Sequence, residues 1–229
     1  MLRSDKICIL IPAYNAESTL GSVLAKTQPL GLDTIVVNDG SLDETGRIAL
    51  EHGVHLLEHP NNLGKGAALR TGFQYILEKG YDTIITLDAD DQHDPSEIPF
   101  LLKVFEKVRP DILIGSRAQE FDRMTFLRRF WNRLGAKAIA RYCHTDITDS
   151  QSGFRLIRTE ALRKVELFTS GFETEMELLI KACKKGFSVL SVPIHIREVD
   201  GTGSSHFRPV RDTWQECKLF LRIFFRLGG

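Results

Sequence analysis

The sequence predicts an α/β domain, a mostly parallel sheet flanked by helices. Two observations carry this. Short apolar runs alternate with helix-length amphipathic stretches through the first half, which is the pattern of βαβ units. Several of those runs end directly in a polar or proline-containing loop, as in Ile-Pro-Ala-Tyr-Asn, Asn-Asp-Gly-Ser and Asp-Ala-Asp-Asp. Composition agrees: 229 residues, 42% hydrophobic and 26% charged, describe an ordinary globular protein. A chain of this length buries about 70% of the surface its unfolded form exposes, so no staples are needed.

In order, Ile7–Ile11 is a buried strand closed by Pro12, and Glu17–Lys26 is a helix. Thr34–Val37 is a second strand. Ser41 with Glu44 three residues on reads as a capping box for a helix that stops at Gly53. Val54–Leu57 is a third strand, and Lys65–Lys79 is a helix stopped by Gly80. Thr83–Leu87 is a fourth strand, Pro95–Val108 a helix entered through an Asp94 cap, and Ile112–Ile114 a fifth strand. The second half is less regular. A basic helix over 124–141, a strand over Gly153–Ile157 and an amphipathic helix over Glu173–Lys185 are expected, the last with Met176, Leu179, Ile180 and Cys183 inward. Phe187–Ile196 is a bent strand or a strand pair, Asp200–Ser205 a flexible loop, and Pro209–Leu227 a final amphipathic helix.

Composition excludes several classes. Thirty Lys and Arg balance thirty Asp and Glu, which does not suit a generic nucleic-acid binder, so no nucleic-acid partner is expected. No stretch approaches the roughly 20 apolar residues that span a bilayer. The first apolar run is too short for a secretory signal core, so a cytoplasmic protein is expected. Cys8, Cys143, Cys183 and Cys217 lie far apart without zinc spacing and read as reduced thiols.

In a parallel sheet, ligands bind beyond the carboxyl ends of the strands, so the loops at 12–17, 38–41, 88–93 and 115–117 are where chemistry is expected. Asp88 and Asp90 follow a buried strand two residues apart. Two such carboxylates repel unless a cation lies between them, and hard oxygen ligands favour Mg²⁺ or Mn²⁺, which also bind phosphate oxygens. Asn62-Leu63-Gly64-Lys65-Gly66 suits a phosphate or simply a Gly-rich turn into a helix.

Taken in order, Ile11–Asn15, Asn38–Asp43, Asn62–Gly66, Asp88–His93, Gly115–Arg117 and Asp149–Arg155 resemble family 2 glycosyltransferases. The set looks most like the polyprenyl- or dolichyl-phosphate sugar transferase branch and covers residues 7 to 208. The resemblance implies a GT-A, Rossmann-like fold and a single catalytic domain over 1–229. Residues 1–118 would form the nucleotide-sugar and metal half, and 119–229 the acceptor half with the C-terminal helix. It also implies inverting, metal-dependent transfer of a sugar from a GDP- or UDP-linked donor. Pro12, Ala13, Tyr14, Glu17, Asn38, Asp39, Lys65, Asp88 and Ala89 would bind the nucleotide-sugar. Asp88, Asp90 and Gln92 would hold Mg²⁺ or Mn²⁺. Asp90, Asp149 and Arg117 form the expected catalytic set, with Arg117 on a phosphate and Asp149 as the candidate base for a hydroxyl acceptor. An acceptor phosphate needs no such base, and both acceptors stay open at this point. Asn38 stands where the family usually has Asp. The family's Arg-x-x-Gly-x-Ser-Lys is replaced by Asp200–His206, which leaves His206 or Arg208 to supply the cation.

Residues 121–142 carry six Lys/Arg against one acid, and 207–229 carry five against two, so an acidic remainder balances two basic segments. Aromatic side chains interleave with both. Basic aromatic helices suit an anionic membrane surface or an acceptor with a phosphate head group, with Arg129 and Arg133 as acceptor candidates. They equally suit a solvated surface whose apolar face packs on the core. The expected protein is peripheral on the cytoplasmic face of a membrane, in contact with lipid or a membrane-protein partner, and serves the cell envelope. The expected acceptor is polyprenyl phosphate. A transferase acting on a soluble glycan or protein hydroxyl, or a non-catalytic sugar-nucleotide-binding subunit, is the alternative.

Overall fold

A computed structural model describes residues 6–118, 139–141, 145 and 147–195. Seven strands, β1 (Ile7–Ala13), β2 (Asp33–Asn38), β3 (His55–Glu58), β4 (Thr83–Thr86), β5 (Ile112–Ser116), β6 (Arg155–Arg158) and β7 (Val189–Pro193), form one sheet in the order β3-β2-β1-β4-β6-β5-β7. Helices α1 (Leu20–Thr27), α2 (Thr45–Glu51), α3 (Lys65–Glu78), α4 (Ile98–Val108), α5 (Thr159–Lys164) and α6 (Glu173–Lys184) connect them. β1, β2, β3 and β4 are mutually parallel, as are β5 and β7. β6 alone is reversed, antiparallel to β4 on one side and β5 on the other. Its amino end therefore lies at the edge where the carboxyl ends of β4 and β5 lie.

Because successive strand residues face opposite ways, β1 feeds two cores. Cys8 and Leu10 join Ile35, Val37, Ile84, Phe73, Ile76 and Leu179 on the face covered by α3 and α6. Ile9 and Ile11 join Val36, Ile85, Leu20, Leu24, Leu101 and Phe105 on the face covered by α1 and α4. Burying both faces explains why these strands are continuously apolar rather than alternating. Gly53 and Gly80, at φ 68 and φ 72, end α2 and α3 as expected. The Asp94 cap also forms: its side chain accepts from Ser96 N at 3.0 Å and opens a 3₁₀ turn into α4.

Two details differ from expectation. The Ser41–Glu44 capping box does not form. α2 begins at Thr45, whose N–H donates to Asp43 Oδ1 at 3.0 Å, while Ser41 Oγ accepts from Asn15 N at 2.9 Å. A neighbouring loop claims the hydroxyl before the helix can use it. Of the two alternatives for 187–196, the described residues hold one strand, Val189–Pro193. Cys8 is a buried free thiol, pushed up to about 12 by burial first and then by the charge of Asp33. Cys183, however, is disulfide-bonded, a pairing that sequence spacing does not announce. Cys143, Cys217, the basic 124–138 stretch and the C-terminal helix lie outside the described residues. Among those described, no helix is long and apolar enough to cross a membrane.

Candidate active site

The expected loops do converge at the carboxyl edge. β1 and β2 run in register to Ala13 opposite Asn38, and Asp39 N donates to Ala13 O at 2.8 Å. Pro12 and Ala13 are buried, Tyr14 is half-buried and Glu17 is exposed. Glu17 Oε2 accepts from Glu44 N at 3.1 Å, so it ties the first loop to the second.

Asn38 and Asp39 spend their side chains on loop structure. Asn38 Oδ1 accepts from Ser41 N at 3.1 Å, and its amide donates to Glu58 Oε1 at 3.3 Å. Asp39, 2% exposed, accepts from Leu63 N at 3.0 Å and Gly64 N at 2.8 Å and lies 2.6 Å from His59 Nδ1. His59 in turn meets Thr71 Oγ1 at 2.9 Å. Asp39 thereby fixes the Asn62–Gly66 turn that delivers Lys65 to the first turn of α3.

Lys65 is the hub of the site. Its ammonium lies 2.6 Å from Asp88 Oδ1 and 3.1 Å from Glu175 Oε2. Burial disfavours the charge on Lys65, yet these two carboxylates outweigh it and raise its affinity for the proton. Burial likewise works against an ionised Asp88, but Lys65 first, then His93 and Arg117, hold that carboxyl down at about 2. Asp90 goes the other way. Burial and then the charge of Asp88 push it up to about 6. Burial also pushes Glu175 up, and Lys65 and Arg155 pull it back only in part. His93, 3% exposed, packs edge-on against Phe154 with ring centroids 5.6 Å apart. Burial, then the positive charge of Arg117, lower its pKa to about 4, so it is neutral at pH 7.

On the other side of the site, Arg117 follows β5 and Asp149 lies in the loop entering β6. Nε and Nη2 of Arg117 donate to Oδ2 and Oδ1 of Asp149 at 2.7 and 3.1 Å, and Arg117 N adds a third bond at 3.1 Å. Asp149 also accepts from Gln151 N at 3.1 Å. Burial alone would raise Asp149, but Arg117 holds it below the usual carboxylate range. The loop is braced from beneath by Arg155, 1% exposed, whose guanidinium donates to the carbonyls of Ser152 (2.8 Å), Glu175 (2.7 Å) and Ser150 (2.8 Å). Gly153 is required for space: a Cβ there would overlap the Asp88 carboxylate.

Asp88 and Asp90 fit a divalent cation by the chemistry of their donor set. Both offer hard carboxylate oxygens, on residues two apart just past the end of β4. Among the described residues no group of three or more His, Cys, Asp or Glu side chains is placed to hold a metal. A site of two carboxylates completed by water and phosphate oxygens is the Mg²⁺ pattern. Gln92 contributes its N–H to Asp90 Oδ1 at 3.1 Å, which shapes the turn. Ala89 is buried, and its carbonyl accepts from Thr19 Oγ1 at 2.6 Å. Arg129, Arg133, His206 and Arg208 lie outside the described residues.

Sequence reading gave no role to Glu175, His59 or Arg155. The readable signal was faint: Glu-x-Glu in the first turn of a helix otherwise written with apolar residues, and an Arg inside the apolar run Phe154–Ile157.

Comparison with known proteins gives the family and the fold. The chain is 32% identical over 249 aligned positions to a UDP-N-acetylglucosamine–dolichyl-phosphate N-acetylglucosaminyltransferase of Methanococcus voltae, covering 98% of this chain and 96% of that one. It is 31% identical over 211 positions to a polyprenol monophosphomannose synthase of Mycolicibacterium smegmatis, covering 85% and 78%. A crystal structure of glucosyl-3-phosphoglycerate synthase from Mycobacterium tuberculosis, in complex with Mn²⁺ and UDP-glucose, superposes with a TM-score of 0.71 at 20% identity, covering 95% and 79%. That likeness establishes the GT-A fold. Residues 8–166 match the model of Glycosyl transferase family 2, and the chain is a glycosyltransferase belonging to that family.

Proposed function

We propose that the protein transfers a sugar from a GDP- or UDP-linked donor to polyprenyl phosphate, with inversion at the anomeric carbon. The observation that carries this reading is the state of Asp149. Its two carboxylate oxygens are taken up by the Arg117 fork and two backbone N–H groups, so it is committed to positioning a cation rather than to accepting a proton. A phosphate acceptor, ionised at neutral pH, requires a positioned cation and no base. The names of the relatives that act on dolichyl phosphate or polyprenol support the same acceptor class.

In this reading, the acceptor phosphate oxygen approaches the anomeric carbon from the face opposite the leaving group. Its lone pair forms the new bond while the bond to the diphosphate oxygen breaks, and that electron pair leaves with the nucleoside diphosphate. No proton has to move. Arg117, held in orientation by Asp149, positions the incoming phosphate, and Lys65 faces the diphosphate. Asp88 and Asp90, with Gln92 shaping their turn, would hold a divalent cation, which would supply neutralisation of the developing diphosphate charge. Pro12, Ala13, Tyr14 and Asp39 form the wall and floor of the nucleoside pocket, with Asn38 supporting it. A lipid-linked acceptor places the protein at a membrane surface.

Asp90→Ala should abolish transfer to a short-chain polyprenyl phosphate while thermal unfolding stays close to wild type, and EDTA should do the same reversibly. Retained transfer in either case overturns the metal assignment. Transfer to a soluble glycan hydroxyl but not to lipid phosphate overturns the acceptor.

A further inference from the structure

The ammonium of Lys65 bridges carboxylates that come from two parts of the chain. Asp88 ends the β4 segment, whereas Glu175 lies in the first turn of α6 and is only 6% exposed. The spacing between these carboxylates is fixed by backbone. Arg155 clamps the Glu175 carbonyl at 2.7 Å, and Gly66 N donates to Ser170 O at 2.8 Å. α3 and α6 approach so closely that a Cβ at Gly66 would overlap Thr174 Oγ1. Lys65 thus reaches two rigidly placed acceptors at once, on a flexible stem. A compact ammonium can exchange partners this way, whereas a guanidinium fork is held to one.

We infer that Glu175 is a positioning residue that holds Lys65 as a displaceable counter-cation on Asp88. The inference rests on the donor-binding reading above. Without donor, Lys65 neutralises Asp88 and competes with a divalent cation for that carboxylate. When the cation and a nucleoside diphosphate are both present, Glu175 keeps the released ammonium beside the diphosphate oxygens. Lys65 therefore opposes metal binding to the free protein and favours diphosphate binding to the metal-loaded one. Glu175 makes the exchange possible by giving the ammonium a second place to rest.

The test measures Mn²⁺ binding to the full chain by loss of the free-ion electron paramagnetic resonance signal, alone and with UDP or GDP. Lys65→Met should bind Mn²⁺ about tenfold more tightly without nucleotide, yet bind the diphosphate with Mn²⁺ about tenfold more weakly. Glu175→Gln should weaken nucleotide-free Mn²⁺ binding about fivefold, with most of that loss gone when Lys65 is already Met. Glu175→Asp, which keeps the charge, should stay within about twofold of wild type. Lys65→Met binding Mn²⁺ no more tightly than wild type overturns the inference. Equal losses from Glu175→Gln in both backgrounds also overturn it, since a merely structural role predicts that. Asp88→Asn in parallel separates the two layers. If wild type takes up no Mn²⁺ with nucleotide, or takes it up regardless of Asp88, the metal reading falls and this inference with it. Asp88-dependent uptake that ignores Lys65 and Glu175 removes the inference alone.

Discussion

Arg117 and Asp149 face each other as a planar fork on a carboxylate, Nε to Oδ2 at 2.7 Å and Nη2 to Oδ1 at 3.1 Å, with Arg117 5% and Asp149 1% exposed. Removing one partner of a buried pair leaves the other charge uncompensated, so Asp149→Asn should cost about 3 kcal/mol of stability in urea unfolding. If Asp149 only positions Arg117, transfer should fall about a hundredfold while the acid limb of the pH–rate profile keeps its shape. Disappearance of that limb would make Asp149 a base after all. Arg117→Lys should not restore the rate, because an ammonium has no fork.

Gly153 gives a sharper probe of geometry than any charged residue. The methyl group of Gly153→Ala would push into the Asp88 carboxylate. Overpacking of this kind costs about 1–3 kcal/mol, and displacing a reacting-site carboxylate by 1 Å costs about a hundredfold in rate. We expect a folded protein by circular dichroism whose transfer rate is lost and whose Mn²⁺ affinity drops. Full activity would show that Asp88 is not held where the site needs it.

Arg155 is a structural counterpart. Its guanidinium serves the carbonyls of Ser150, Ser152 and Glu175 from inside the core. Arg155→Met would leave buried acceptors unpaired, at about 1–3 kcal/mol for each unsatisfied group, and should lower the melting temperature by about 10 °C or more. Arg155→Lys should recover only part of this, since three donors on one nitrogen cannot match the spread of the fork. A melting temperature unchanged in Arg155→Met would refute the bracing role.

Acid stability has a source far from the chemistry. Glu177, 2% exposed, accepts from Phe168 N, Thr169 N and Thr169 Oγ1 and pairs with Lys181 at 2.5 Å. Burial alone would raise its pKa, but these bonds outweigh it and hold it below its ordinary 4.5. A carboxyl depressed in the folded state contributes stability above its unfolded pKa and loses it as pH falls through the folded value. Glu177→Gln should therefore be less stable than wild type by about 1–2 kcal/mol at pH 7, a gap that closes in acid, at a pH where the folded carboxyl is protonated. A gap that is the same at both pH values would mean that packing, not charge, is what the substitution removes.

The parts of this fold that show in the sequence are those written in local physics. β1, β2 and β4 announce themselves because two-faced burial makes them largely apolar and a Pro, Asn or Asp stops each run. Gly53, Gly80 and Asp94 mark helix ends by backbone chemistry that needs no partner. The reversed direction of β6 is not written locally, since Arg155–Arg158 reads as a strand either way up, and only pairing with both β4 and β5 decides it. The same holds for the site. Asp88, Asp90, Arg117 and Asp149 stand out through motifs at strand ends. Glu175 stays hidden because its acidic side chain reads as the solvated face of α6 until Lys65, 110 residues earlier, is placed against it. Ser41 misled for a related reason: its cap chemistry was sound, but a loop from another strand reached it first.

The reversal of β6 has one more effect. β5 delivers Arg117 to the carboxyl edge, and the chain returns to that same edge at Asp149 before entering β6. The chain thus leaves this edge after Arg117 and is back at it by Asp149, like a drawer whose two runners are these residues. The drawer is also fastened inside: Ile139 and Ile147 pack in the core that Leu10 and Phe73 share, and Thr145 Oγ1 donates to Val189 O at 2.9 Å. An insertion between Arg117 and Asp149 therefore starts and ends at one edge of the sheet, and it leaves the strands in place only if it keeps these inner contacts and the fork.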